Sequence, residues 1–177
     1  MKKIRIKFLL TLVLALMFGS VFNAAAAVRI DVEREGRILL DYRYDGVALP
    51  DVEFELYRAA DVAPDAHLTL SGGFKDYPVR IEGLDDSGWR AAAATLATYV
   101  RADGIQPDLK MRTDEQGAID FGMVRAGLYL IAGQEKTVGG QVFQVAPFLV
   151  SLPGLTEEDG WSYDVLVRPK CSVSTPP

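Results

Sequence analysis

The chain has 177 residues, with 19 Lys and Arg against 24 Asp and Glu, one His and one Cys, for a net charge of −5. That balance excludes a nucleic-acid binder, which needs a basic face. One thiol and one imidazole exclude zinc sites built from Cys and His, and Ser-His-Asp or Cys-His catalysis would have to use His67 as its base. The residue content argues against an enzyme, and no catalytic residue, metal site or cofactor site is assigned.

Residues 1–27 separate from the rest. Lys2, Lys3, Arg5 and Lys7 form a basic start, Phe8 opens an apolar run that ends at Phe22, and Ala24-Ala25-Ala26-Ala27 offers small-residue cleavage sites. The spacing predicts a secretory signal peptide, because the apolar run is too short to span comfortably and ends where a peptidase can cut. An uncleaved N-terminal anchor is the alternative reading. Removing the leader takes four basic and no acidic residues, leaving 15 basic and 24 acidic side chains, a net charge of −9. Such a product lacks the basic face that anionic membranes attract, so no membrane association is expected once the leader is gone. The remaining residues, about 150, make one ordinary domain.

The exported part reads as short alternating runs. In residues 37–44, Ile38, Leu40, Tyr42 and Tyr44 share one face. After the turn signal Asp45-Gly46, Val52, Phe54 and Leu56 alternate with Glu53, Glu55 and Tyr57. Period two with one polar face marks half-buried strands, here expected to form a hairpin whose connection Ala48-Leu49-Pro50 lengthens. Further strands are expected at residues 67–70, 78–82, 118–121, 127–132, 141–152 and 161–168. Turn signals separate them, at Ser71-Gly72-Gly73, Asp114-Glu115-Gln116-Gly117, Gly139-Gly140 and Pro153-Gly154. Pro147 interrupts the stretch at 141–152, which predicts a bulge, an edge or two separate strands.

One helix stands out. Ser87 is expected to cap a segment with Trp89, Ala92, Ala93, Leu96, Tyr99 and Val100 at helical spacing, ended by Asp103-Gly104. Short strands with one inserted helix predict a mostly β fold, an Ig-like antiparallel β-sandwich. Residues 28–170 form the domain, and residues 171–177 read as a disordered tail.

The last strand carries the chemistry. Trp161, Val165, Val167 and Pro169 share one alternation face, and Lys170 lies on the other. An apolar stripe clamps such a strand to the core, and Pro169 ends the ladder by withholding a donor. A lysine just past a rigid strand end is exposed yet fixed in position, so another protein can find it reproducibly. A final core strand with a solvated lysine is the plainer reading.

Trp161, Val165, Val167, Pro169 and Lys170 together resemble the pilin motif of sortase-assembled pili of Gram-positive bacteria; Arg168 stands where that family usually has Tyr. Other stretches agree. Gly46-Val47-Ala48-Leu49-Pro50-Asp51-Val52-Glu53-Phe54-Glu55-Leu56-Tyr57 looks like the opening of a pilin N-terminal, collagen-adhesin B-type domain. Thr113-Asp114-Glu115-Gln116-Gly117, Phe121 and Gly127-Leu128-Tyr129-Leu130 are similar to the paired strands before its closing hairpin. Pro147-Phe148-Leu149-Val150-Ser151-Leu152-Pro153 looks like the segment preceding the motif. The resemblance covers residues 37–170. It implies a structural subunit exported to the cell wall or pilus. There the pilin-motif lysine, Lys170, accepts an intermolecular isopeptide bond made by a pilin-class sortase, joining other pilin subunits or the cell wall. The lysine must be neutral to attack, and a free Lys has a pKa of about 10.4, so the enzyme has to remove a proton or desolvate the amine.

Three departures qualify what the resemblance implies. The chain ends seven residues after Lys170 with no Leu-Pro-x-Thr-Gly signal, so as written it accepts a bond but does not donate one: a truncated product, a chain-terminating subunit, or a secreted domain no longer polymerised. The internal Lys–Asn amide frequent in these domains is impossible, since the only Asn is Asn23 in the leader. The first-strand lysine is also missing, and Gly133 stands where a closing-strand Glu usually lies. A Lys–Asp amide would have to use Lys75, Lys110 or Lys136. Cys171 directly follows the acceptor, either an inert tail residue or a thiol that pairs between chains.

Two other functions compete with the structural subunit. A secreted adhesin or ligand-binding module on the same sandwich would bind a host or surface ligand through its loops and through residues 61–112, where Phe74, Tyr77 and Trp89 are candidate anchors. A hydrolase would need an acid–base pair, and Asp85, Asp86, Glu157, Glu158 and Asp159 sit in turn-like charge runs that read as solvated loop faces. The packing-only domain predicted here has a direct check. The intact mass of the 28–177 segment should equal its sequence value, and a deficit of about 17 or 18 Da, one ammonia or one water, would reveal an internal amide instead.

Overall fold

The computed structural model describes residues 29–156 and 160–175; the expected leader at 1–27 lies outside them. Strand β1 (Gly36–Asp41) leads into a small hairpin, β2 (Arg43–Tyr44) and β3 (Val47–Ala48). The turn Asp45-Gly46 has φ of 48° and 79°, the left-handed pair that a two-residue hairpin turn requires. This corrects the expected hairpin of residues 37–44 with 52–56. The turn closes at its minimal length on β2 and β3, and β4 (Glu53–Val62) enters a different sheet. Next come β5 (Leu68–Leu70), helix α1 (Asp86–Asp103), β6 (Leu109–Arg112), β7 (Ala118–Val124), β8 (Gly127–Gly133), β9 (Lys136–Val138), β10 (Gln141–Val145) and β11 (Phe148–Leu152). Last are β12 (Gly154–Leu155), β13 (Trp161–Ser162), β14 (Asp164–Val167) and β15 (Cys171–Ser174).

These strands make an Ig-like β-sandwich with one inserted helix. One sheet has the order β14-β1-β7; the other runs β11-β8-β4-β5, with β6 on the same edge of β4 as β5. A third, β15-β10-β9, extends the sandwich at one end. Every pairing is antiparallel except β1 with β14, which is parallel. Ile38 and Leu40 of β1 are fully buried opposite Phe54 and Leu56 of β4, as their alternation predicts. Each such side chain contributes about 1.5–3 kcal/mol by leaving water.

Helix α1 lies on the far side of the larger sheet, where Ala93, Leu96 and Ala97 pack on Tyr57 and Leu130. Both faces of β8 are therefore covered, and Gly127, Leu128, Tyr129, Leu130 and Ile131 are all buried rather than alternating; a strand buried on both faces reads as a continuous apolar run. The cap is Asp85, not Ser87. Asp85 Oδ1 accepts the Gly88 N–H at 2.7 Å, and Ser87 Oγ donates to the same carboxylate at 2.8 Å. That Gly88 bond, foremost, holds the Asp85 carboxyl below the usual carboxylate range. Gly104 closes the helix in the left-handed region, φ 67°.

Three other expectations are settled. Pro147 does divide the stretch 141–152, into β10 and β11 in different sheets. Residues 78–82 form no strand: Ile81 is buried against Ala60 and Leu128 while Val79 lies beneath the helix, so the alternation reflects packing without a ladder. The expected disordered tail is corrected too. Residues 171–174 are β15, paired antiparallel with β10 from Cys171↔Val145 to Ser174↔Val142, because Cys171 and Val173 turn inward onto the main core.

Thr113, 4% exposed, shows how tightly the turn region is tied. Its Oγ1 accepts the Val52 N–H at 2.9 Å and donates to the Leu49 carbonyl at 2.7 Å. Replacing it by the isosteric Val strands a buried donor and a buried acceptor. Thr113→Val should lose about 2–4 kcal/mol in urea unfolding, with Thr113→Ser retaining most of the stability.

Candidate functional site

The site is built from the outside strand β14 and the segment that leaves it. Val165 and Val167 pack against the main core, and Trp161 joins a smaller cluster with Ile30, Val62 and Ala126. Tyr163, 7% exposed, is the most deeply buried residue of the run. β14 pairs in parallel with β1 from Arg37↔Asp164 to Leu40↔Val167, and the ladder stops there, two residues before Pro169. The three residues 168–170 then cross to the sheet that contains β15. Lys170, exposed at that crossing, is held on both sides by paired strand although its own backbone is in neither. Trp161, Val165, Val167 and Pro169 are half-buried and Lys170 is exposed; the strand expected at 161–168 is divided at Tyr163 into β13 and β14, in different sheets.

Among the described residues, no ion pair or hydrogen bond engages the Lys170 ammonium. The neighbouring carboxylate on β1, Asp41, is shared by Arg43 at 2.6 Å and Arg168 at 3.4 Å. Arg168, the departure from the motif, thus pins the strand end to β1 through an ion pair. The arrangement offers an exposed amine on a short segment held on both sides by paired strand.

Cys171 turns inward. Its Sγ accepts a hydrogen bond from the fully buried Tyr42 hydroxyl at 3.2 Å. Burial, and next the bond to that sulphur, hold the Tyr42 phenol above its usual range.

The place of the missing closing-strand Glu is filled. A Cβ on Gly133 would sit 2.5 Å from Val145 Cγ1 and 2.6 Å from Phe54 Cε1, so the Phe54 ring occupies the space a longer side chain would need. The candidate lysines for an internal amide face outward. Lys110 lies 2.7 Å from Glu55 and 3.4 Å from Glu53, and Lys136 reaches the Pro50 carbonyl at 2.6 Å and Asp51 at 3.7 Å.

Other candidates resolve into packing. Phe74 is buried against Tyr57. Tyr77 stacks on Tyr99 at 4.0 Å and donates its hydroxyl to Asp103, and Trp89 is half-buried beside Ile81. Asp85 is the helix cap and Asp86 lies in the first turn, whereas residues 157–159 lie outside the described residues. His67 Nδ1 pairs with Glu82 at 2.6 Å on the surface. Among the described residues no three metal-ligating side chains gather, and no helix is long and apolar enough to cross a membrane. An apolar hollow of about 550 Å³ was not foreseen; it lies between the β2–β3 hairpin and β9–β10, lined by Tyr44, Val47, Leu49, Val138 and Phe143. Tyr44 shares the alternation face of Ile38, Leu40 and Tyr42, and only the tertiary arrangement leaves it, with Val47, exposed.

No family model matches the chain, and no curated protein matches it. Among solved structures it is similar to the full-length major pilin SpaD of Corynebacterium diphtheriae, at 23% identity and a TM-score of 0.51 over 81% of this chain and 31% of that one. It is also similar to the fimbrial protein FimP of Actinomyces oris, at 19% identity, TM-score 0.48, over 81% and 31%. The major pilin SpaA of C. diphtheriae matches at 22% identity, TM-score 0.46, over 77% and 30%. The chain thus spans about a third of the length of these pilins, and the SpaD likeness establishes the fold of a pilin domain. The inward Cys171 sulphur generates a prediction of its own. Under non-reducing conditions the native protein should remain free of disulfide-linked dimers, and its thiol should react with a maleimide more slowly than in urea or in Tyr42→Phe.

Proposed function

We propose that this pilin-fold domain is a secreted, surface-associated structural subunit whose Lys170 accepts an intermolecular isopeptide bond from a pilin-class sortase. The observation that carries the reading is the placement of Lys170: an exposed amine, free of protein partners among the described residues, between two strands that belong to different sheets. In the reaction the neutral Nζ attacks the thioester carbonyl by which the sortase holds a donor subunit. A C–N bond forms, the C–S bond breaks, the enzyme thiolate leaves, and the amine's proton passes to the enzyme or solvent. The chain is the nucleophilic substrate; the catalytic groups belong to the sortase.

A second reading, a secreted adhesin or ligand-binding module without covalent polymerisation, is favoured by one observation. The apolar hollow beside Tyr44 and Val47 exposes the kind of patch that marks a binding surface.

A transfer assay separates the two. The 28–177 segment, incubated with the sortase encoded beside it and a labelled Leu-Pro-x-Thr-Gly peptide, should gain one adduct. Tandem mass spectrometry should place it at Lys170, and it should vanish in Lys170→Ala. With a sortase active on a control acceptor, no adduct, or one that survives Lys170→Ala, would remove the acceptor role and leave the binding module.

A further inference from the structure

We infer that Tyr163 is a positioning residue, a clasp that binds the N-terminal segment Ile30–Gly36 across the acceptor strand and thereby sets the register that presents Lys170; the link to Lys170 rests on the acceptor reading above. The Tyr163 hydroxyl makes two reciprocal bonds to one backbone position, accepting the Asp31 N–H at 2.8 Å and donating to the Asp31 carbonyl at 3.0 Å. The guanidinium of Arg34 lies 4.2 Å from the centre of the same ring, a cation–π contact. The backbone carbonyl of Tyr163 takes the Arg37 N–H at 2.6 Å. Gly36 allows that approach: a Cβ there would sit 2.4 Å from the Tyr163 oxygen. Against Trp161, two residues before Tyr163, Ile30 is brought in from the other end of the chain and is only 3% exposed in that cluster, its N–H bonded to the Pro64 carbonyl at 3.0 Å.

These contacts converge on the first rung of the β1–β14 ladder. β14 is an edge strand with four paired residues, Asp164 to Val167. A short edge ladder is weakly specified by itself, and a slip of one residue turns every side chain to the opposite face. A slip here would turn the inward valines out and Lys170 in. Tyr163 sits one position ahead of the ladder and is held through hydroxyl, ring and carbonyl, so the strand has a fixed starting point. β15 provides the second fixed point, beyond Lys170. The contacts join residues 132 apart in sequence, so the acceptor strand is locked only when the segment at residues 30–36 is seated.

The test uses the 28–177 segment with Tyr163→Phe, which removes the hydroxyl and keeps the ring, and with Gly36→Ala, which obstructs the carbonyl contact. Amide hydrogen exchange is read by mass spectrometry. Loss of the two hydroxyl bonds should raise exchange about tenfold at residues 31 and 164–167, while the β4–β8 core stays at its original rate. In the transfer assay, Tyr163→Phe should raise KM for the acceptor chain with kcat little changed, and Arg34→Gln should show the same pattern more weakly. Should Gly36→Ala fail to fold, Arg34→Gln serves as the second variant. Unchanged exchange at 164–167, or a rise shared equally with the β4–β8 core, would overturn the clasp. If the wild-type chain shows no transfer at Lys170, the acceptor reading fails while the exchange result still decides whether Tyr163 sets the strand.

Discussion

The three larger sheets of this domain meet at the edge-to-face contact of Tyr42 and Phe54, whose ring centroids are 5.2 Å apart. Phe54 belongs to the larger sheet and fills the space over Gly133. Tyr42 continues from β1, ties its backbone to Gly117 and Leu49, and sends its hydroxyl to Cys171 on β15. Both side chains are fully buried. The contact joins the sheets by packing, through two rings removed from water together. Interiors are dense enough that a single missing ring would be felt on all sides. Gly133 is then explained by the ring it faces: any side chain there would compete with Phe54 for one volume.

Much of this architecture was legible in the chain. Short runs bounded by turn signals located β1, β4, β7 and β8, although β8 is a continuous buried run and not an alternating one. Pro147 marked the break between β10 and β11, and Asp103-Gly104 marked the helix end. The failures have separate causes. β6, β9 and β12 are short strands with mostly exposed or half-exposed side chains, and their pairing is decided by the partner edge, not by a hydrophobic pattern. Residues 78–82 have the pattern without the ladder, since a helix can bury alternate residues of an irregular segment. Cys171 and Val173 form a legible two-residue alternation, hidden by the polar Ser, Thr and Pro around it. Asp85 displaced Ser87 as cap because both hydroxyl and carboxylate were eligible, and the carboxylate is the stronger acceptor for the helix N-terminus.

At the candidate site the division is similar. Period two alone places Val165 and Val167 of β14 against the core, whereas Trp161 lies in a separate strand and Pro169 and Lys170 lie past the ladder. What sequence could not supply is the company of that strand. The parallel partner β1, the ion pair from Arg168 to Asp41, and the return of residues 30–36 over Tyr163 are all long-range. Tyr163 carries no local mark of its role: a tyrosine between Ser162 and Asp164 reads as one more half-buried strand residue. The apolar hollow escaped notice for the converse reason, since Tyr44 and Val47 have core-like chemistry at positions that the small hairpin leaves open.

The position of Lys170 between two sheets has a mechanical consequence. A pull on its side chain enters the backbone at one point and divides, one share running back along β14 and the other forward into β15. Tension directed along β14 would load its parallel rungs in shear, so that they resist together; a pull perpendicular to the strand would peel them one at a time. Because the two shares pass into different sheets, neither has to bear the whole load, and both are anchored within reach of the Tyr42–Phe54 contact. An attachment point at the end of either sheet would have only one route for the force. Were the proposed bond formed there, the lysine would work as a yoke at the seam, and the strength of the joint would be a property of the whole sandwich.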